Sequence, residues 1–77
     1  MTVRDIVKLL SYGTKWKLVG ARTGKRLCDN FASEKTREKY MDMPVIDDPI
    51  VADFYVSKNM PLTNYVTPMI SIWVSGQ

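Results

Sequence analysis

Two stretches in the second half of the chain, residues 50–57 and 68–75, restrict its fold more than any other feature. In each stretch apolar side chains recur at every second position. A period of two is typical of a β-strand with one buried face. Residues 58–64, polar and interrupted by Pro61, predict the turn between them. The apolar sets are Ile50, Ala52, Phe54 and Val56 in the first stretch, and Ile70, Ile72 and Val74 in the second.

The start of the chain has the spacing of an amphipathic helix. Apolar residues at positions 3, 6, 7 and 10 form one stripe and predict a helix from Thr2 to Ser11. Thr2 is a favourable N-cap, and Asp5 stands where the acid of a capping box belongs. Gly13 is suited to a left-handed C-cap.

A β-hairpin is predicted next, from residues 15–22 and 26–30, joined by a tight turn at Thr23-Gly24. Trp16 and Leu18 share one face of the first strand, and we expect that face to pack on the helix. The charged residues 33–41 predict either a short helix capped by Ser33 or a mobile loop. Residues 44–49, bounded by two prolines, predict an irregular connection.

These elements predict an α+β fold: an N-terminal amphipathic helix packed on a mostly antiparallel sheet of about four strands. Residues 1–77 are expected to form a single small domain. Because so small a core contributes little net stability, a homodimer or a protein partner is expected. We expect neither a membrane span nor a secretion signal, since no long apolar run is present.

The residue types in the chain exclude many chemistries. It contains no His and a single Cys, Cys28, so no His-dependent nucleophile, no intrachain disulfide and no common structural zinc site is available. The acids at 42, 47, 48 and 53 lack the spacing of a calcium loop. We therefore expect no catalytic residues, no cofactor and no metal, and a reducing, cytoplasmic environment.

Charge is unevenly distributed along the chain. Residues 1–26 contain seven basic residues and one acidic residue, a local net charge of +6, whereas residues 27–77 contain four and seven, a net charge of −3. The spacing of Gly20 to Arg26 does not match a phosphate-binding loop, which needs four residues between its glycines. A basic edge on the hairpin remains as an alternative, nucleic-acid-binding hypothesis. Its residues are Lys15, Lys17, Arg22, Lys25 and Arg26.

The sheet face opposite the helix is the predicted protein-binding site. The side chains expected there alternate along each strand with those that face the core. They are Val51, Asp53, Tyr55, Met69 and Trp73. Exposed aromatic and methionine residues are enriched in interfaces. Asp47 and Asp48 would add an acidic contact beside this face. The competing interpretation is that segment 33–41 covers the face.

The stretch TVRDIVKLL at residues 2–10, followed by ARTGKRLCD at 21–29, resembles small phage and prophage accessory proteins of Firmicutes. The resemblance covers residues 2–29, with weaker similarity at 50–57 and 69–74. It implies no catalytic residue. It implies a non-enzymatic protein in the cytoplasm of a bacterial host that acts by protein–protein contact, for example as an inhibitor of a defence system such as a CRISPR nuclease.

Overall fold

Six elements follow one another in the computed structural model, which describes residues 1–59 and 63–77, with side chains at 1–54 and 68–77. They are α1 Val3–Leu9, β1 Trp16–Gly20, β2 Arg26–Asp29, α2 Glu34–Glu38, β3 Val45–Asn59 and β4 Thr63–Val74. The strands form one sheet in the order β2-β1-β4-β3. β1 is parallel to β4, and the other neighbouring pairs are antiparallel. The predicted α+β fold is confirmed. The centre of the predicted second turn, residues 60–62, lies outside the described residues.

Helix α1 begins where its capping sequence predicts and ends earlier than predicted. The Thr2 hydroxyl accepts a hydrogen bond from the Asp5 N–H at 3.4 Å, and the Asp5 carboxylate accepts one from the Thr2 N–H at 2.9 Å. This reciprocal pair satisfies N–H groups that a helix start leaves unpaired. Because the last helical residue is Leu9, Gly13, with a φ of 88°, forms the turn after the helix and is not its C-cap.

The charged segment after β2 forms one short helix and then packs against α1. Ser33 caps α2, as the sequence predicts. Beyond α2, the carbonyl oxygens of Met41 and Met43 accept hydrogen bonds from the N–H groups of Arg4 and Val3 at 2.8 and 3.0 Å. Met41 is buried in the hydrophobic core. The segment therefore lies on the same side of the sheet as α1.

The hydrophobic core lies between α1 and one side of the sheet, which we call the helix face. In the register of β1 and β4, Trp16 lies opposite Ile70 and Leu18 opposite Ile72. The predicted orientation of Trp16 and Leu18 toward the helix is thus confirmed. The buried core residues are Val3, Ile6, Trp16, Leu18, Cys28, Met41, Ile72 and Val74. The other side of the sheet, which we call the open face, carries Lys17, Val19, Met69, Ser71 and Trp73.

The hairpin of β3 and β4 is longer than the rest of the sheet. β3 has 15 residues and β4 has 12, but β1 pairs with β4 only from Ile70 to Val74. Within the described sheet, the strand segments 53–59 and 63–69 therefore pair only with each other and form a two-stranded ribbon. The molecule is correspondingly elongated, measuring 41 × 23 × 20 Å.

β4 continues through Pro68, where the sequence predicts its start. The Ile70 N–H donates to the Lys15 carbonyl oxygen at 3.0 Å, on the side of β1. Alternate residues of a strand direct their backbone groups the same way, so the Pro68 nitrogen also faces that side. Because β1 begins only at Trp16, opposite Ile70, Pro68 removes no hydrogen bond from the sheet.

β3 also begins earlier than predicted, at Val45. Part of the predicted irregularity is present, since the register with β4 shifts between Val45 and Ile50. Asp48 lies in this shift with a φ of 49°, a left-handed conformation that aspartate tolerates better than most residues. The shift carries the strand past Pro49 without requiring a regular pair at that position.

Candidate protein-binding surface

An ion pair crosses the middle of the open face. Lys17 on β1 lies opposite Ser71 on β4, and Asp53 on β3 lies opposite Met69 on β4. The Lys17 Nζ is nevertheless 2.7 Å from Asp53 Oδ2, which also accepts a hydrogen bond from the Ser71 hydroxyl at 3.0 Å. Since β1 and β3 flank β4, each about 4.8 Å away, the ion pair lies over β4.

The negative charge of Asp53 is therefore paired by groups of the same sheet. The Lys17 ammonium, the Phe54 N–H and the Ser71 hydroxyl together lower the pKa of Asp53 to about 2. Beneath the ion pair, Met69 is only 5% exposed and Ser71 only 3% exposed. The prediction that Met69 is exposed is therefore wrong, because side chains from the neighbouring strands meet above it.

The remaining residues predicted to bind a partner have different environments. Val51, Asp47 and Asp48 are exposed, and Trp73 is half-buried. The indole N–H of Trp73 is buried and makes no hydrogen bond within the described part of the chain. The side chain of Tyr55 lies outside the described residues. The competing interpretation, that segment 33–41 covers the open face, is wrong. The segment packs on the helix face.

The larger apolar exposure lies on the helix face of β3. Ile50 and Phe54 are 50% and 65% exposed, although Ile72, directly opposite Ile50, is 0% exposed. A helix is about 10 Å across and covers about two strands spaced 4.8 Å apart, whereas this sheet has four. α1 lies over the central strands and leaves β3 uncovered. We call Ile50, Ala52, Phe54 and Pro68 the exposed strip.

The sequence pattern places Ile50 and Phe54 on the correct face and does not reveal their exposure. Alternation reports which side of a strand is apolar, and it contains no information about how far the covering helix extends. The signal that would have revealed the strip is the mismatch between one short helix and four strands. No periodicity within the strand itself carries that signal.

A groove of about 490 Å³ runs beside the exposed strip. Ala52, Phe54, Pro68 and Ile70 line it on the strand side, and residues 13–15 line it on the other. This lining is mostly apolar, with the charged residues Lys15 and Asp53 at its margin. Such a groove can take an apolar side chain of a bound protein.

Two of the five basic residues of the alternative hypothesis are paired with acids. Lys17 binds Asp53, as described above, and the Arg26 guanidinium contacts the Asp29 carboxylate. Both contacts lie within the sheet and reduce the positive potential that the sequence places along this hairpin. The negative charge of each acid offsets the charge that a phosphate would otherwise meet.

The other three basic residues lie at opposite ends of β1. The Lys15 ammonium lies 5.9 Å from the centre of the Phe31 ring, before the strand begins. Arg22 and Lys25 are exposed at the turn after the strand, where Gly24 has the predicted positive φ, 72°. The five side chains are not joined into a single basic edge.

The described residues contain little that could support catalysis. Cys28 is buried, and burial raises the pKa of its thiol against the opposing influence of Arg37 and Arg26. A raised pKa keeps the thiol protonated and unreactive. Among the described side chains, at residues 1–54 and 68–77, no group of three or more metal-binding residues comes together. No helix among the described residues is long and apolar enough to cross a membrane.

Comparison with known proteins finds no matching family model, no matching curated protein and no matching solved structure.

Proposed function

We propose that this chain is a small, non-enzymatic binding protein of phage type that acts by protein–protein contact in the bacterial cytoplasm. The observation that carries the proposal is the exposed strip, with its neighbouring groove, at the base of the β3–β4 ribbon. Isolated exposed apolar residues are ordinary, but a contiguous set beside a groove is characteristic of interaction sites. Phe54, the largest member of the strip, is suited to be its anchor.

The charges around the strip favour a particular kind of partner. Asp47 and Asp48 are exposed just before the strip begins. Asp53 is held by Lys17, so the free acidic charge is concentrated at this one end. A partner that presents an apolar patch next to basic side chains complements this surface. Proteins with nucleic-acid channels, such as CRISPR nucleases, have such basic surfaces, and we propose this class of target.

A matched pair of substitutions tests the role of the strip. Phe54 and Phe31 are similarly exposed, at 65% and 60%, but only Phe54 belongs to the strip. The native chain, Phe54→Ser and Phe31→Ser would each be immobilised and used to capture proteins from a bacterial host lysate. We expect Phe54→Ser to lose a protein that the native chain and Phe31→Ser retain. Equal capture by all three would contradict the assignment of the strip.

A functional assay tests the proposed target class directly. Purified CRISPR nucleases with their guide RNA would cleave target DNA in the presence of increasing amounts of each variant. We expect inhibition by the native chain and by Phe31→Ser, and weaker inhibition by Phe54→Ser. Neutralising the acidic end with Asp47→Asn and Asp48→Asn should also weaken inhibition and reduce its salt dependence. If neither the native chain nor Phe31→Ser inhibits cleavage, the proposed nuclease target is refuted.

A further inference from the structure

A second groove, of about 480 Å³, lies where α1, β1 and α2 meet. The chain leaves α1 at Leu9, turns through residues 10–14 and enters β1 at Trp16. Asn30 follows β2, and Arg37 lies in the last turn of α2. The volume is within the range of sites that bind small molecules. We call this groove the Arg37 pocket, and its lining consists of Val7, residues 10–14, Trp16, Asn30 and Arg37.

Arg37 is the one charged residue in the described lining of this pocket, and its charge is not paired. The side chain is half-buried and its Nε is fully buried. Within the part of the chain that the structure describes, this side chain makes no hydrogen bond and no ion pair. The acid next to it on α2, Glu38, instead binds Arg4 at 2.8 Å. Asp29, at the end of β2, contacts Arg26. A guanidinium stays charged at physiological pH, and a partly buried charge without a partner is energetically costly.

Asn30 supplies a second group that can donate to a ligand. Its side-chain oxygen accepts a hydrogen bond from the Trp16 N–H at 3.0 Å, and this contact orients the amide. The NH₂ group of the same amide has two N–H donors. Neither donor makes a hydrogen bond within the described residues. Arg37 and Asn30 therefore bring unused donors to one pocket, and the described lining contains no acid to compete for them.

The charge and polarity of the lining favour a carboxylate over a phosphate. A guanidinium binds either group through two parallel hydrogen bonds. A phosphate monoester carries a charge of about −1.5 to −2 near pH 7, whereas the described lining offers one positive charge. A carboxylate, with a single negative charge, matches that charge. The lining also includes the apolar side chains of Val7, Leu10 and Trp16, so the group that carries the carboxylate should be apolar.

We propose that the Arg37 pocket binds a carboxylate attached to a small apolar group, as in a free organic acid or at the C-terminus of a peptide. The Arg37 guanidinium binds the carboxylate, the Asn30 amide donates to it, and the apolar part of the lining contacts the attached group. This inference does not depend on the proposed function. Phe54 does not line the Arg37 pocket, and the two grooves share only residues 13 and 14 of the described chain.

A titration of the native chain with two compounds of the same shape tests the site. Phenylpropionate has a carboxylate on an apolar group, and phenylpropionamide has an uncharged amide in its place. Proton–nitrogen NMR spectra would follow the Trp16 indole and the Asn30 amide, with the Trp73 indole on the open face as an internal control. We expect phenylpropionate to shift the first two signals with a Kd on the order of 1 mM and to leave Trp73 unchanged. Phenylpropionamide should bind at least roughly tenfold more weakly. A shift that does not saturate with phenylpropionate, or equal affinity for the two compounds, would overturn the proposal.

Two matched substitutions on α2 test the role of Arg37. Arg37→Gln and Lys35→Gln each remove one positive charge, but Lys35 is exposed and does not line the pocket. We expect Arg37→Gln to weaken phenylpropionate binding at least roughly tenfold and Lys35→Gln to keep the native affinity. Arg37→Lys retains the charge without the forked geometry and should fall between them. A folded Arg37→Gln variant that binds phenylpropionate as the native chain does would show that the assignment is wrong. If Arg37→Gln does not fold, the comparison of the two compounds on the native chain decides the matter.

Further probes distinguish the possible sources of the carboxylate. A short peptide that ends in phenylalanine presents the same group as a free C-terminus, and its amidated form is the control. Tighter binding of the free peptide than of phenylpropionate assigns the site to a peptide C-terminus, and weaker binding assigns it to a free organic acid. Tighter binding of inorganic phosphate than of phenylpropionate would overturn the choice of a carboxylate. Phe54→Ser should bind phenylpropionate as the native chain does, so failure of the proposed function would leave this inference intact.

Discussion

Two isoleucines that face each other across the sheet provide a sensitive test of how far α1 covers it. Ile50 and Ile72 lie directly opposite each other on the helix face, but they are 50% and 0% exposed. An Ile→Ala change removes three carbon groups, worth about 0.8 kcal/mol each when buried. Ile72→Ala should lose about 2.4 kcal/mol in this way, and more through the cavity it leaves, for a total of about 3–4 kcal/mol.

Ile50→Ala should cost only about 1 kcal/mol, because half of the side chain already contacts water and no enclosed cavity forms. A domain of 77 residues has a net stability of roughly 4–12 kcal/mol. The loss at Ile72 is therefore a large fraction of the total, and it should lower the Tm by roughly 12–30 °C.

Urea unfolding followed by tryptophan fluorescence measures both variants. Trp16 is buried in the core, so its emission reports unfolding of the whole sheet. If Ile50→Ala is as destabilising as Ile72→Ala, the conclusion that α1 leaves the exposed strip uncovered is refuted.

Three further predictions concern the open face, the thiol and the last residue of β1. Because Lys17 and two hydrogen bonds lower the pKa of Asp53 to about 2, their stabilising effect is present above about pH 4 and is lost as pH falls toward 2. Asp53→Asn should remove that part of the pH dependence of the urea midpoint, and an unchanged profile would contradict the ion pair. Cys28 should react with a thiol reagent only after unfolding, whereas labelling at the rate of a free thiol would show that it is not buried. A Cβ at Gly20 would lie 2.8 Å from the Gln77 carbonyl oxygen, so Gly20→Ala should cost about 1–3 kcal/mol in urea unfolding, and an unchanged midpoint would contradict this contact.

Local interactions explain why much of the fold can be predicted from the sequence. The Thr2–Asp5 capping box lies within four residues, and the positive φ of Gly24 is confined to a single turn. The alternation of Ile70, Ile72 and Val74 likewise reports one face of one strand. Each feature is determined by neighbours in the chain, so each is visible without knowledge of the tertiary structure.

What cannot be predicted depends on contacts between distant residues. Pro68 is tolerated inside β4 because β1 begins only opposite Ile70. Met69 is buried on the face where Lys17 and Asp53, far apart in the sequence, form an ion pair. The exposure of Ile50 and Phe54 depends on the reach of α1 across the sheet. In the last two cases the pattern identifies the face correctly, and tertiary packing decides whether the residue is accessible.

The parallel pairing of β1 with β4 has a consequence for how the chain is made. β1 and β2 are close in sequence, as are β3 and β4, but the ladder from Trp16 to Gly20 requires Ile70 to Val74. On a translating ribosome, Trp16 and Leu18 therefore remain without their partners until nearly the whole described sequence has emerged. Pairing between such distant segments slows folding and leaves apolar surface exposed in the meantime. We expect the ladder between β1 and β4 to form only after Ile70 to Val74 have left the ribosome.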